Sequence, residues 1–257
     1  MDRPFYPDFI VRVLPALLRF LPVTLGIMAF TAATGSAFGV FLARARLPSM
    51  KAGRRFLGRL AGAYVMALRC TPSIVLLFLV YYGLPALFLA LFGADINGAA
   101  RVVFVVITLT LLFAATSGEI FRAAYLAVPA GQREAAVSVG LSETRAFTRI
   151  VLPQAAAVAL PPFGNALITL MKEGALAYTI GMIDMMGQGN LIITRNYGSY
   201  ALETYLALAL VYWAMTVLIE RGFLTLETRL SRGKRAIGAA EPAAAKKFAG
   251  TGGGNVA

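Results

Sequence analysis

The stretch "REAAVSVGL" (133–141) lies between two apolar runs of membrane length, and its Arg and Glu, with Gln132 just before them, interrupt the hydrophobic sequence. Its order of residues predicts a shape. Gly131 breaks the chain, and "QREAAVSV" (132–139) then offers good helix formers up to Gly140. Glycine suits the left-handed position just past a helix end. Ser142 can cap a second helix, "ETRAFTRIV" (143–151), that stops before Pro153. The reading is two short helices joined at a glycine elbow. Ala135 and Ala136 leave one face flat, so another protein's backbone can approach closely. Helix logic alone allows a solvated surface pair equally well.

Working outward, the flanks set the class. The 257 residues are 59% apolar and 14% charged, with a mean hydropathy of +0.74. A soluble domain carries about 25% charged residues. Between Arg19 and Arg44 lie 24 uncharged residues, and Val102 to Gly118 adds 17 more. A bilayer core of roughly 30 Å takes about 20 apolar residues in a helix. The chain therefore reads as an all-α polytopic membrane protein with about five transmembrane helices: 20–43, 64–83, 102–118, 154–173 and 203–220. "LPALFLALFGADIN" (84–97) is too short to cross and reads as a half-helix at the outer interface. "GALAYTIGMIDMM" (174–186) reads as a re-entrant or interfacial segment. Residues 1–19 form an interfacial, amphipathic segment, 20–222 the membrane domain, and 223–257 a disordered tail ending "AAEPAAAKKFAGTGGGNVA".

The net charge of +12 would suit nucleic acid, but its distribution excludes that partner. Arg44, Arg46, Lys51, Arg54, Arg55 and Arg59 follow the first span. Arg122, Arg133, Arg145 and Arg149 lie in the 119–153 loop, and Arg229, Arg232, Lys234 and Arg235 follow the last span. Basic loops mark the cytoplasmic side. The amino terminus is then outside and the carboxyl terminus inside, although Arg3, Arg12 and Arg19 run against this. Tyr81 and Tyr82 read as interface anchors. Cys70, the one cysteine, reads as a small buried hydrophobe. The absence of His excludes His-based triads and metal sites, no metal is expected, and no removable signal peptide precedes the first span.

Glu134-Ala135-Ala136, three residues, Gly140, nine residues and then Ile150-Val151-Leu152-Pro153 resemble the Glu-Ala-Ala loop signature of ABC importer permeases. "LRCTPSIVLLFLVYYGLP" (68–85), "GEIFRAAYLAVPAGQREAA" (118–136) and "LPQAAAVALPPFGNALITLMKEGAL" (152–176) are similar to the polar amino acid permease subfamily, over roughly 20–220. Cys70 stands where that subfamily usually has Gly, Ala115-Thr116 replaces a frequent Ala-Tyr, and Gly174-Ala175 replaces hydroxyl residues. The resemblance implies the type I importer arrangement in a bacterial inner membrane, with the loop as a cytoplasmic coupling helix inserted into a separate ATP-binding subunit. Glu134, Ala135, Ala136, Gly140, Leu141 and Ser142 would be its coupling residues. The chain contains no G-x-x-x-x-G-K-[ST] loop, so ATP and Mg would sit on that partner and no cofactor here. A second permease copy or paralogue, an extracytoplasmic solute-binding protein and membrane lipid complete the implied partners.

Asn165, Thr169, Lys172 and Glu173 fall on one stripe of the fourth span, at offsets of four, seven and eight. Polar side chains inside a membrane face protein or water. The stripe would line the path, with Lys172 and Glu173 suited to a substrate's carboxylate and amino groups. Alternatively, these two pair with each other and reach the interface. Pro161-Pro162 and Gly164 predict a kink or hinge. Glu119 marks the third span's inner boundary or contacts substrate, with Arg122 a partner at helical spacing. Glu134 reads as structural, bonded to backbone or to Arg133 or Arg145. The chain would conduct a polar amino acid without changing a bond in it. A gradient-driven secondary transporter or channel is the competing class, but no inverted repeat supports it. A scaffold for a soluble partner is a third.

Overall fold

The computed structural model describes residues 5–47 and 52–238. In chain order the helices are α1 (Pro7–Leu18), α2 (Leu21–Ala45), α3 (Ala52–Cys70), α4 (Ser73–Phe92), α5 (Arg101–Leu126), α6 (Ala130–Ser138), α7 (Glu143–Ile180), α8 (Met185–Arg195) and α9 (Ala201–Gly238). Among the described residues α2, α4, α5, α7 and α9 are long and apolar enough to cross a membrane. The tail from 239 onward lies outside the described residues, and α9 runs well past the 203–220 expected for the last span.

α5 is the hub. Its apolar window is 56% buried, against 22–28% for the other spans, because α2, α3, α4 and α7 all pack on it. α2 lies parallel to it and very close, because small residues face each other. A Cβ at Gly39 would stand 2.2 Å from the Ser117 hydroxyl and 2.9 Å from the Gly118 nitrogen. A Cβ at Gly35 would stand 3.0 Å from the Phe113 side chain. Such small-residue seams let helix backbones approach where the hydrophobic effect supplies no drive between helices. Thr34 and Thr110 share a 2.9 Å hydrogen bond across the seam, and Ser117 donates to the Gly35 carbonyl. On α5's other sides, Leu77, Phe104, Leu109, Phe113 and Leu170 form one core, and Leu42, Ala61, Val65 and Ala114 another.

The second span is placed differently from the sequence expectation. Helix geometry fails at Thr71-Pro72, because a residue before proline is pushed out of the helical region. The crossing segment is therefore Ser73–Phe92 rather than 64–83, and "LPALFLALF" continues it instead of forming a separate half-helix. A π turn at Leu79–Gly83 makes this possible. It places Pro85 in the first turn of the next α-helical stretch, where a missing N–H is tolerated. Gly93, at φ +65°, ends α4. Tyr81 consequently packs edge-on against Phe104 inside the bundle, and Tyr82 alone is exposed. Cys70 is exposed, not buried, because it sits at the broken end of α3 on a face this chain leaves uncovered.

The same device recurs in α7. A π turn at Phe147–Val151 precedes Leu152-Pro153, so the second loop helix does not stop at the proline but runs on to Ile180. α7 also stays helical through Pro161-Pro162, and Gly164 leaves room for Phe223 of α9, whose Cγ a Cβ would meet at 2.9 Å. After a 3-10 turn (Ala175–Ile180), Gly181 at φ +78° reverses the chain into α8. α1 is held to α9 by Phe9 stacked on Tyr200 at 4.1 Å and by the Tyr6 N–H donating to buried Glu203. Val13 and Leu17 are its buried face.

Candidate functional site

The elbow forms as its residues require. α6 closes with the Gly140 N–H donating to the Val137 carbonyl and the Leu141 N–H to the Ala136 carbonyl, the paired bonds of a Schellman ending. Gly140 has φ +90°, which glycine adopts without Cβ strain. The Ser142 hydroxyl accepts the Arg145 N–H at 3.4 Å and caps α7. Pro129 precedes α6 as its cap, so Gly131 lies inside the first turn and does not break the chain.

The two alanines part company: Ala136 is buried against the start of α7, whereas Ala135 is exposed. The open face is therefore Ala135 with Val139, 80% exposed, and not an Ala135–Ala136 pair. Among the described residues the Glu134 carboxylate has no hydrogen bond or ion pair. Arg133 instead bridges the elbow to Glu143 at 3.2 Å, an exposed pair of small energetic weight.

Where α2 and α5 end near the loop, Glu119 accepts hydrogen bonds from both Arg46 and Arg122, the latter at 2.5 Å. The i,i+3 spacing revealed Arg122. Arg46 is brought in only by the parallel α2–α5 seam and was not legible beforehand. Arg46 and Glu119 line an open groove of about 420 Å³ with Gly62, Met66, Arg69 and Cys70 of α3. Arg69 and Met66 were not singled out by the sequence reading, although both lie on one face of α3.

Asn165, Thr169 and Lys172 share one outward face of α7, all exposed in the single chain. Glu173 lies half-buried at its edge and accepts a 2.6 Å hydrogen bond from Ser73 at the start of α4. Glu173 is thus held by Ser73 rather than by Lys172. Thr169 donates to the Asn165 carbonyl within its own helix.

One buried acid escaped the sequence reading. Asp184, 1% exposed, caps α8 by accepting the Gly187 N–H at 2.8 Å. Thr24 of α2 accepts the adjoining Met185 N–H. Gly187 is obligatory, because a Cβ would lie 2.4 Å from the Met182 carbonyl oxygen. Burial pushes the Asp184 carboxyl up to about 6, against which its backbone hydrogen bonds pull down. The pattern Asp-x-x-Gly before a helix was the available signal.

Five apolar spans with one of them at the centre, a two-helix loop and outward-facing polar residues on one span define a multi-pass membrane transport subunit. The chain belongs to the binding-protein-dependent transport system inner membrane component family, whose model matches residues 35–232. It is 40% identical to the L-cystine transport system permease protein TcyL of Bacillus subtilis, over 92% of this chain and 96% of that protein. It is 33% identical to the arginine ABC transporter permease protein ArtQ of Haemophilus influenzae, over 90% of this chain and 99% of that one. A crystal structure of an amino acid ABC transporter with histidines superimposes with a TM-score of 0.73 at 30% identity, covering 89% of this chain and all of that one. The inward-facing MetNI methionine transporter shares the fold, with a TM-score of 0.60 at 22% identity and coverage of 86% and 95%. The chain is a transport component rather than an enzyme, and the ATPase of such a system is a separate subunit alongside a solute-binding protein.

Proposed function

We propose that this chain conducts a polar amino acid, delivered by an extracytoplasmic binding protein, through a path it shares with a second permease copy or a sibling. Two partner ATPases hold ATP and Mg, and each docks on an elbow formed by Glu134, Ala135, Gly140, Leu141 and Ser142. The amino terminus lies outside, and the elbow faces the cytoplasm with the carboxyl terminus, in keeping with the basic residues around the elbow, after the first span and after the last. The relatives' names support the substrate class. The observation that carries the path is the exposed stripe of Asn165, Thr169 and Lys172 on a membrane-spanning helix. Facing lipid, such residues are costly; facing a twin across a watered path, they are satisfied.

Because α7 is continuous from the elbow cap to Ile180, movement of the elbow is transmitted directly to the stripe. ATP binding closes the ATPase pair, draws the elbows together and favours the outward-open state; hydrolysis resets it. The test is uptake by the reconstituted complex carrying Asn165→Ala and Thr169→Ala. We expect a substrate-dependent fall in uptake of about tenfold, equivalent to one or two lost hydrogen bonds. Unchanged kinetics at full expression would remove the stripe from the path.

A further inference from the structure

The loop end of the bundle contains a second, larger cavity that the transport reading does not use. It measures about 660 Å³ and lies between α2, α5 and the first turns of α7. Its lining is sorted by depth. Val40, Phe121, Leu152, Ala155 and Ala159 form apolar walls within the spans, while Arg44, Arg122, Glu143 and Thr144 stand at the rim. Arg44 is exposed and, among the described residues, has no partner. Arg122 spends its Nη2 donor on Glu119, but its Nε is buried with no hydrogen-bond partner. Glu143, the one acid in the lining, is engaged by Arg133. An unpaired buried guanidinium donor is expensive, so the rim is matched to an anion.

We infer that this cavity holds one anionic phospholipid of the leaflet at the loop end, its phosphate between Arg44 and Arg122 and an acyl chain along Val40, Phe121 and Ala155. An anion without hydrocarbon would leave the apolar walls bare, and an apolar segment would leave Arg44 and the Nε of Arg122 unanswered. An amphiphile in the orientation of a bilayer lipid answers both, as basic pockets between spanning helices do for acidic headgroups. The bound lipid bridges α2 to the stem of the elbow at Thr144, while Glu143 stays turned to Arg133.

The test uses the intact complex in nanodiscs of phosphatidylcholine with or without phosphatidylglycerol, read by native mass spectrometry. Retention of one phosphatidylglycerol per permease chain is expected, with no comparable retention of phosphatidylcholine. Arg44→Gln should lower retention about fivefold, the effect of one basic residue at a lipid surface, and Arg44→Lys should largely preserve it. Ala156→Trp, which fills the cavity without changing charge, should abolish retention. Equal retention in wild type, Arg44→Gln and Ala156→Trp would overturn the assignment. So would a photo-crosslinker at Ala156 that captures the second permease copy or the ATPase in place of lipid.

Discussion

Single residues set the local conditions for both the elbow and the buried acid. At Gly140 a Cβ would meet nothing within 4 Å, so only the backbone angle constrains the position. Gly140→Val should therefore cost about 1–2 kcal/mol locally, from the left-handed conformation alone. Membrane insertion should be normal while ATP-dependent uptake falls; normal uptake would mean the elbow geometry is irrelevant. Asp184 makes a pH prediction. Its native carboxyl titrates near 6, above the ordinary carboxylate value of 3.8, so the native state binds the proton more tightly than the unfolded chain. Between those values stability rises as pH falls, and as pH rises through about 6 the buried charge weakens the fold. Thermal melts of wild type should drop from pH 5 to pH 7 relative to Asp184→Asn, which stays neutral; parallel curves would contradict this. Residue-level partners were only partly legible. Glu119–Arg122 follows from helical spacing, whereas Arg46–Glu119 and Ser73–Glu173 depend on how separate helices cross, which no local pattern encodes.

Elements were read more fully. Long apolar runs gave the spans, and glycine followed by a serine cap gave the elbow, because both are local physics. The errors share a cause. Pro153 read as a stop and 84–97 as a separate half-helix, yet Pro85 and Pro153 each follow a π turn that carries the helix past them. The Thr71-Pro72 break was missed although Arg69 and Thr71 interrupt the apolar run there. Hydropathy sees composition and not hydrogen-bond register. The α2–α5 seam supplies the test at this scale. Gly39→Leu forces a side chain against Ser117 and the Gly118 backbone, and should destabilise the subunit by about 1–3 kcal/mol as overpacking does. The melting temperature of the purified complex should fall, and Gly26→Leu, where a Cβ meets nothing within 4 Å, should leave it nearly unchanged. Equal melting temperatures for the two variants would mean the seam is not a tight contact.

At the scale of the molecule, one chain leaves much exposed that a bilayer alone does not explain. Leu91, Phe92, Trp213 and Leu218 suit lipid, but Asn165, Thr169 and Lys172 do not. Polar surface on spanning helices argues for a partner across a path, and a loop projecting beyond the spans argues for a separate motor. Neither partner was visible in composition; the loop signature was what pointed to them. The most direct measurement is solute uptake by sealed proteoliposomes, comparing this chain alone with the full complex, each with and without ATP inside the ATPase compartment. Uptake should occur only when the ATPase, the binding protein and ATP are all present. Accumulation of the solute by the chain alone, without nucleotide, would contradict the account.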